Sequence, residues 1–207
     1  MVAGLRDRIS LQVATRDDLN ALAVEHHYMH RAVHYRAVPF GWRVLFDGQR
    51  VCSDGLPVGF IIFASVHFTK LRGEFGYPGL PNKWQVLSLA RLWLHDDLPH
   101  NSETVTIAKA LRLVQRRWLE VHPPRFPEQP YHVRKVISYT DLRYHLGTIY
   151  RAANFREVRR TVSQKRHKNT RGNGSDGAEL ICFIYDLPEP RWQWQVTDGL
   201  PLFETGR

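Results

Sequence analysis

The chain has 207 residues, of which 43% are hydrophobic and 24% charged, a balance typical of one folded domain with a full core. Lysine and arginine outnumber aspartate and glutamate by 29 to 20, which gives a net charge of +9 with histidine neutral. This charge favours a polyanionic partner, nucleic acid first and an anionic membrane surface second, although an unspecialised basic surface carries the same excess. No apolar run approaches the about 20 residues of a membrane span, and the N-terminus lacks a signal-peptide core, so no membrane role is expected.

The two cysteines, Cys52 and Cys182, form neither a CxxC pair nor a Cys/His zinc pattern. Cysteines of this kind are typical of a reducing compartment, and we expect the protein to act in the cytoplasm. The sequence contains no internal repeat, and residues 1–207 are expected to form a single domain.

The first part of the chain predicts a strand, a helix and a hairpin. Residues 8–14 alternate between polar and apolar side chains as a strand does, and Thr15 can cap a helix that begins at Arg16. Residues 40–47 and 57–66 are apolar segments separated by a loop rich in glycine, serine and aspartate, which is the pattern of a β-hairpin.

Histidines are concentrated just after that first helix. His26, His30 and His34 are spaced i, i+4, i+8, so a continuing helix would place them on one face, where two imidazoles can chelate a metal ion. No HExxH motif accompanies them, and a further ligand is not evident. The alternative is a loop at the mouth of a cleft, with His27 and Tyr28 contacting a substrate.

Residues 86–95 (VLSLARLWLH) predict a strong, mostly apolar strand. Strict alternation would place Leu87, Leu89, Arg91 and Trp93 on one face of it. Arg91 is the anomaly, because a buried guanidinium needs an anionic partner. That partner is either a structural carboxylate or an anionic group of a substrate or cofactor.

A long helix is predicted next, from Asn101 or Ser102 to about residue 121. Its start follows a strand and carries the hydroxyls of Ser102 and Thr104 beside unpaired backbone N–H groups, which is the chemistry of an anion site. A cofactor diphosphate or a nucleic-acid phosphate fits there, and an ordinary capped helix has the same sequence.

Two basic features favour contacts with a phosphate backbone. Arg112 and Arg116 lie on one face of the long helix. Residues 165–177 form a loop rich in glycine and asparagine, and its composition suits phosphate contacts, although a solvated hairpin loop has the same composition. The cations of that loop are Lys165, Arg166, Lys168 and Arg171.

The densest set of polar side chains lies between a predicted strand, residues 135–139, and a predicted helix, residues 147–154. Asn154 is expected to end this helix in the left-handed conformation, with Phe155 folded back on the last turn. Tyr150 is the residue of greatest interest, although an amphipathic tyrosine on a half-buried helix is the commoner case. The polar set stands at the carboxyl end of a strand, where α/β sheets hold ligands, and consists of Ser138, Asp141, Tyr144, His145, Thr148 and Tyr150.

Residues 157–163 and 178–186 predict an antiparallel pair, and residues 187–207 a tail that packs on the sheet edge. The resulting order, β–α–β–β–β–α–β–α–β–β, resembles the GNAT acyltransferase fold, with Tyr150 on its last core helix. The resemblance implies an α/β (α+β) domain with a mixed central sheet of about six to seven strands flanked by helices. One departure is the glycine-rich pyrophosphate loop of that superfamily, which HNSET replaces at residues 100–104.

A closer resemblance is to the Mom family of phage DNA-modification proteins, which are GNAT-like. It rests on four blocks in the same order: His27-Tyr28, then residues 89–104 (LARLWLHDDLPHNSET), 138–141 (SYTD) and 147–155 (GTIYRAANF). The resemblance implies transfer of a carbamoylmethyl group to the exocyclic amine of adenine in double-stranded DNA, by which phages evade restriction. It leaves the donor undetermined, either acyl-CoA-like or another activated glycine-derived group, and implies a link to iron whose ligands the sequence does not give.

The resemblance also implies roles for the matching residues. Tyr150 would protonate the leaving group, and Asp141 would remove a proton or bind the purine edge. The flipped adenine would lie against His27 and Tyr28. The expected catalytic residues are Asp141, Tyr150, His27, Tyr28 and Ser138; the expected donor-binding residues are Arg91, Asn101, Ser102 and Thr104; the expected DNA-binding residues are Arg112, Arg116, Lys165, Arg166, Lys168 and Arg171.

Two other functions fit parts of this pattern. A GNAT-like N-acyltransferase acting on a small-molecule or protein amine would share the fold, but it has no need of the basic balance. A non-catalytic DNA-binding module would share the charge, but it has no need of clustered Asp, Tyr, His and Ser side chains at one strand end. The oligomeric state does not follow from the sequence.

Overall fold

The structure, a computed structural model, describes residues 4–34, 37–66, 85–123, 132–162, 177–189, 192–197 and 200–205. Within these ranges the helices are α1 (Leu5–Arg8), α2 (Arg16–His26), α3 (Ser102–Val121) and α4 (Thr148–Ala152). The strands are β1 (Ile9–Val13), β2 (Phe40–Phe46), β3 (Gly59–Ser65), β4 (Val86–Leu94), β5 (Lys135–Asp141), β6 (Arg156–Val162), β7 (Glu179–Asp186), β8 (Trp192–Thr197) and β9 (Leu200–Thr205).

Strands β1 to β7 form one mixed sheet in the order β1-β2-β3-β4-β5-β7-β6. Its neighbouring strands are antiparallel except for β4 and β5, which run parallel. The predicted order of elements and the GNAT-like mixed sheet flanked by helices are confirmed. The short α1 and the strands β8 and β9 are additional. These last two strands pair with each other in a sheet of their own, and packing of the tail on the sheet edge stays a prediction.

The parallel strands β4 and β5 are paired over a short distance only. Residues 86–88 of β4 lie opposite residues 135–137 of β5, and the strands then separate. Both strands continue toward their carboxyl ends, so a cleft opens between them at that edge of the sheet. We call this space the β4–β5 cleft.

A β-bulge in β4 lies beside the β4–β5 cleft. Ile62 of β3 lies opposite Arg91, and the next residue, Phe63, lies opposite Leu89, so Ala90 is an extra residue in β4. The predicted strict alternation is therefore wrong beyond Leu89, because one inserted residue exchanges the two faces of the strand. Leu87, Leu89 and Leu92 pack in the core under α3, whereas Ala90 and Trp93 pack in the core under α2.

Apolar residues at helical spacing cover both faces of the sheet. On one face, Ile107, Val114 and Trp118 of α3 are fully buried; on the other, Leu19 and Leu22 of α2 pack against β3. Each large apolar side chain buried in this way contributes about 1.5–3 kcal/mol relative to an exposed one. The sheet is thus rigid where it carries the walls of the β4–β5 cleft.

Helix α2 starts where the sequence predicts, but it does not continue through the later histidines. The Thr15 hydroxyl accepts a hydrogen bond from the Asp18 backbone N–H at 3.2 Å, as an N-cap does. The helix stops at His26. None of the helices within the described ranges is both long and apolar enough to cross a membrane.

The predicted end of α4 is confirmed. Asn154 has φ 63°, in the left-handed region, and its backbone N–H donates to the Arg151 carbonyl at 3.0 Å. The Phe155 N–H donates to the Tyr150 carbonyl at 2.9 Å, and the two rings meet with centroids 5.6 Å apart. Together these contacts form a Schellman motif, which fixes the backbone that carries Tyr150.

Gly147 precedes α4 at a tight point in the structure. Its φ is 74°, and a Cβ atom added there would lie 2.5 Å from the Phe183 ring. That ring stacks on Tyr150 with centroids 5.1 Å apart. The absence of a side chain at position 147 therefore lets α4 approach β7 closely enough to place Tyr150.

The substitution Gly147→Ala is expected to lower the free energy of unfolding by about 2–4 kcal/mol, because it combines left-handed strain with an overlap in the core. Chemical denaturation would measure it. The matched control is Gly48→Ala. Gly48 is likewise in the left-handed region, with φ 78°, but no atom lies within 4 Å of a Cβ added there. In the control, the backbone strain alone should lower the free energy of unfolding, by about 1 kcal/mol. Equal losses in the two variants would contradict the close approach.

Candidate functional site

The β4–β5 cleft brings together the residues predicted as catalytic. His27 and Tyr28 follow α2, and Arg91 lies on β4. Burial is the main influence on the pKa of His27, Tyr28 and Tyr150, and the positive charge of Arg91 acts on all three. The remaining members are Ser138 and Asp141 on β5 and Tyr150 on α4.

Ser138 lies at the point where β4 and β5 separate. Its hydroxyl donates to the Leu89 carbonyl at 3.1 Å, and it is also hydrogen-bonded to the Tyr150 hydroxyl. That second hydrogen bond lowers the pKa of Tyr150, against the larger effect of burial. Burial raises the pKa of Tyr150, so the phenol keeps its proton at neutral pH.

His27 is a neutral side chain in this site. It is only 5% exposed, and burial, followed by the positive charge of Arg91, lowers its pKa to about 3. The Met29 backbone N–H donates to His27 Nδ1 at 3.2 Å. The ring proton therefore lies on Nε2, which makes His27 a hydrogen-bond donor and a poor base at neutral pH.

Arg91 is a partly buried cation without a carboxylate partner among the described residues. Its Nη1 donates to the Ala90 carbonyl at 2.6 Å, while its Nε is buried and makes no hydrogen bond. Burial lowers the pKa of this guanidinium. None of the ion pairs in the described ranges involves Arg91, so the structural-carboxylate alternative has no support there. An anion entering the cleft would complete its hydrogen bonding.

Asp141 is engaged by a residue that the sequence analysis did not single out. Its carboxylate accepts hydrogen bonds from the Arg143 backbone N–H at 3.0 Å, from Nε at 3.0 Å and from Nη2 at 2.6 Å. These side-chain bonds from Arg143 lower the pKa of Asp141. A carboxylate held in this way is a weak base, but it keeps a lone pair that can accept a further N–H. In the sequence, the Asp-x-Arg spacing of Asp141 and Arg143 is the signal that could have identified this pair.

Tyr28 belongs to an aromatic wall at the mouth of the cleft. Its ring lies 4.3 Å from His27, 4.8 Å from Tyr144 and 5.5 Å from His145, measured between ring centroids. Tyr144 was noticed as a polar residue but was given no role. The wall shows that its ring, and not only its hydroxyl, faces other site residues.

The start of α3 differs in detail from the prediction. Asn101 occupies the N-cap position, but its φ is 72° and its side chain caps nothing; the Ser102 hydroxyl donates instead to the Pro99 carbonyl at 2.6 Å. Asparagine tolerates the left-handed conformation that glycine usually provides, which makes a tight turn without the glycine-rich loop. The first turn is left uncapped by Asn101, as an anion site requires, although Glu103 adds a negative charge to the same turn. A donor-binding role for Thr104 stays a prediction.

The predicted DNA-binding cations are only partly described. Arg112 and Arg116 are exposed on α3, about 15 Å or more along the helix from its start, and Arg116 pairs with Glu120 at 3.3 Å. The cations of the basic loop, Lys165, Arg166, Lys168 and Arg171, lie outside the described residues. DNA binding by all six stays a prediction.

The predicted histidine face does not form, because α2 ends at His26. The His26 ring stacks on Trp93 with centroids 4.8 Å apart, and a His30 ring nitrogen meets the Val24 carbonyl at 3.0 Å. Within the described ranges, the metal-ligand atoms that converge belong to Asp54, His95 and Asp97, within 4.8 Å of one another.

In the group formed by Asp54, His95 and Asp97, hydrogen bonds already occupy both nitrogens of the His95 imidazole. The Asp97 N–H donates to His95 Nδ1 at 3.2 Å, and Nε2 meets the Asp54 carboxylate at 2.9 Å. Both ring nitrogens are therefore satisfied in the neutral form. Neither group of residues supports the iron site that the family resemblance implied.

The low pKa of His27 predicts a pH-dependent stability. Its pKa of about 3 in the fold lies below its ordinary 6.5, so the unfolded chain binds this proton first. Stability should therefore fall as the pH drops from about 6.5, by about 1–2 kcal/mol at pH 5. Urea unfolding at pH 7 and pH 5 would measure it. In His27→Asn, which keeps an acceptor for Met29 N–H, the difference between the two pH values should shrink; an unchanged difference would contradict the shift.

Comparison with known proteins connects this geometry to a family. A model of the Mom protein family matches residues 8–176. Among curated proteins, none matches this chain.

Solved structures share the fold at low sequence identity. NAA60 from Arabidopsis thaliana, in complex with acetyl-CoA, superposes with a TM-score of 0.55 at 13% identity over 86% of this chain and 98% of that one. Spermidine N-acetyltransferase from Vibrio cholerae, in complex with CoA and spermine, gives a TM-score of 0.50 at 9% identity over 87% and 96%. The fold is therefore that of the GNAT acyltransferases. Since the family match spans the cleft and every element around it from β1 to β6, this chain belongs to the Mom protein family.

Proposed function

We propose that this protein is a transferase that modifies the exocyclic amine of adenine in double-stranded DNA, adding a carbamoylmethyl-like group that protects the DNA from restriction. The observation that carries the proposal is Arg91, a partly buried cation with a buried, unsatisfied Nε, in the cleft of a chain that belongs to the Mom family. The excess of cations in the chain suits a DNA substrate, and we expect the reaction to take place in the host cytoplasm.

The residues of the cleft suit an anionic, acyl-CoA-like donor. The unpaired Arg91 Nε offers a buried hydrogen bond to an anionic group, and the uncapped first turn of α3 offers backbone N–H groups. Such a donor would supply an activated carbon and a leaving group. Arg91, Asn101, Ser102 and Thr104 are the residues that would hold it.

The adenine amine is a weak nucleophile because its lone pair is shared with the ring, so the site has to orient it closely. In the proposed reaction, a bond forms between N6 and the transferred carbon, the bond from that carbon to the leaving group breaks, N6 loses one proton and the leaving group gains one. Tyr150, protonated at neutral pH, donates a proton to the leaving group. The N6 proton passes to water, and the phenolate regains its proton from water before the next turnover. Ser138 keeps the phenol in place through their hydrogen bond.

The remaining side chains orient the base. Asp141 keeps a lone pair that can accept an N6–H hydrogen bond, and its lowered pKa favours this role over proton removal. His27 presents Nε2–H as a neutral donor, and Tyr28 provides an aromatic face. An adenine inside a duplex reaches such a site only after leaving the base stack.

The primary test is mass spectrometry of nucleosides from plasmid DNA of cells that express the protein. An adenosine species heavier by a carbamoylmethyl group supports the proposal. A different adduct on adenosine keeps the DNA substrate and changes the donor. Unmodified DNA from well-expressed, folded protein would reject the proposal in favour of an N-acyltransferase for a small-molecule or protein amine.

The substitution Tyr150→Phe is expected to lower modification by about 100-fold or more, because it removes the proton donor while keeping the ring contacts with Phe155 and Phe183. Affinity for duplex DNA in a mobility-shift assay should be unchanged. The matched control is Tyr185→Phe, which removes a phenol from a ring that also packs on Phe155, outside the cleft. Full activity of Tyr150→Phe would remove Tyr150 from the mechanism.

A further inference from the structure

The loop between β5 and α4 exposes an apolar side chain that the core does not explain. Leu146 is 72% exposed, the highest value among the exposed large hydrophobic residues of the described ranges. Tyr144, in the same loop, is 57% exposed and contacts Tyr28 across the mouth of the cleft. Burying the Leu146 side chain would be favourable, so its exposure leaves that free energy available for binding.

Hydrogen bonds hold this loop at both ends. At one end, the Asp141 carbonyl accepts the backbone N–H groups of Tyr144 and His145, each at 3.0 Å. At the other end, Arg151 Nη1 donates to the Leu146 carbonyl at 2.7 Å, and its Nη2 pairs with Glu157 at 2.8 Å. The Leu146 side chain is thus presented on a fixed backbone.

The arginine that ties down Leu146 is itself fixed. The Arg151 guanidinium lies 5.3 Å over the Phe183 ring, the same ring that stacks on Tyr150. Through this contact, the position of Leu146 is tied to the position of the candidate proton donor. An apolar tip and a reactive centre held on one rigid unit are suited to act on the same ligand.

A cation lies beside the exposed apolar residues. The Arg143 side chain is about half exposed and lies 5.5 Å over the Tyr144 ring, and His145 is exposed beside it. Across the cleft mouth, Tyr28 and Met29 are partly exposed. An arginine beside aromatic and aliphatic side chains complements a nucleic acid, whose phosphates are anionic and whose bases have apolar faces.

We infer that Leu146 is a wedge that enters the base stack of duplex DNA and fills the space left when the target adenine turns out toward the Tyr28–Tyr144 wall. Apolar side chains of this kind are used by proteins that unstack a base step. Arg143 then lies near the backbone that the extruded nucleotide bends. This inference rests on the proposed function, because it names the way in which the same cleft gains access to a base inside a duplex.

The test uses 2-aminopurine, an adenine analogue whose fluorescence rises when it leaves the stack, placed in duplexes with every combination of flanking bases. The full-length wild type should raise the fluorescence. Leu146→Ala should lose most of that rise, because unstacking costs a few kcal/mol that the wedge offsets. Its affinity in mobility-shift assays should fall by less than about threefold. Leu146→Met should restore the signal, since it keeps an apolar side chain of similar length.

Two controls separate a wedge from a structural role. Leu56→Ala, at another exposed leucine on the β2–β3 hairpin, should leave the signal unchanged. When the 2-aminopurine stands opposite an abasic site, where it is already loosely stacked, Leu146→Ala and wild type should give equal signals. The wedge is overturned if the wild type produces no rise in any duplex, or if Leu146→Ala matches the wild type on paired duplexes. It is also overturned if the variant loses as much signal opposite the abasic site.

The nucleoside analysis of plasmid DNA keeps the two proposals distinguishable. Adenine modified in cells by a wild type that fails the fluorescence test overturns the wedge and leaves the proposed function standing. A fluorescence rise that depends on Leu146, together with unmodified DNA in cells, supports the wedge and rejects the proposed chemistry.

Discussion

The separation of β4 from β5 is the constraint on which the site depends. The two strands share a register over residues 86–88 and 135–137 and then part, so a single side-chain hydrogen bond from Ser138 to the Leu89 carbonyl takes over where the backbone ladder stops. That same serine is hydrogen-bonded to Tyr150. The bulge at Ala90 lies at the level where the strands part and brings Arg91 out of the strict alternation of β4. One local change in strand pairing therefore creates the space, its cation and the anchor of its phenol.

The electrostatics of the cleft follow from burial. A guanidinium always carries its charge, whereas burial favours the neutral forms of His27 and Tyr150. The interior thus combines one fixed positive charge with two neutral hydrogen-bond donors. The carboxylate of Asp141 is held at the rim by Arg143 and does not neutralise Arg91. Such a cleft favours an anion beside Arg91.

Short-range signals in the sequence predicted the parts of the fold that short-range contacts determine. The Thr15 cap and the left-handed Asn154 were predictable because each depends on residues within one helical turn. The fold class followed from the order of the elements. The predicted alternation of side chains in β4 was wrong from Ala90 onward. The bulge there depends on pairing with β3, and the sequence of β4 itself contains no signal for it.

The site shows the same division between local and long-range information. Its members were recognised through the family motifs, but their chemical states were not, because burial is a property of the fold: nothing in the sequence near His27 indicates a pKa of about 3. The histidine face was wrong because α2 ends at His26. The exposure of Leu146 was equally hidden, since an apolar residue beside a helix start is usually taken for core. The roles of the residues in the basic loop stay predictions.

The short register between β4 and β5 also has a mechanical consequence. The antiparallel strands β1 to β4 form one half of the sheet, and β5, β7 and β6 form the other. The backbone seam described between them consists of the parallel rungs between residues 86–88 and 135–137 and the bond from the Arg134 N–H to the Gln85 carbonyl at 2.8 Å. With so few backbone rungs, side-chain packing fixes the relative orientation of the two halves. Phe63 and Leu87 of one half lie in the same buried cluster as Val136 and Phe183 of the other, so the width of the β4–β5 cleft depends on that shared core.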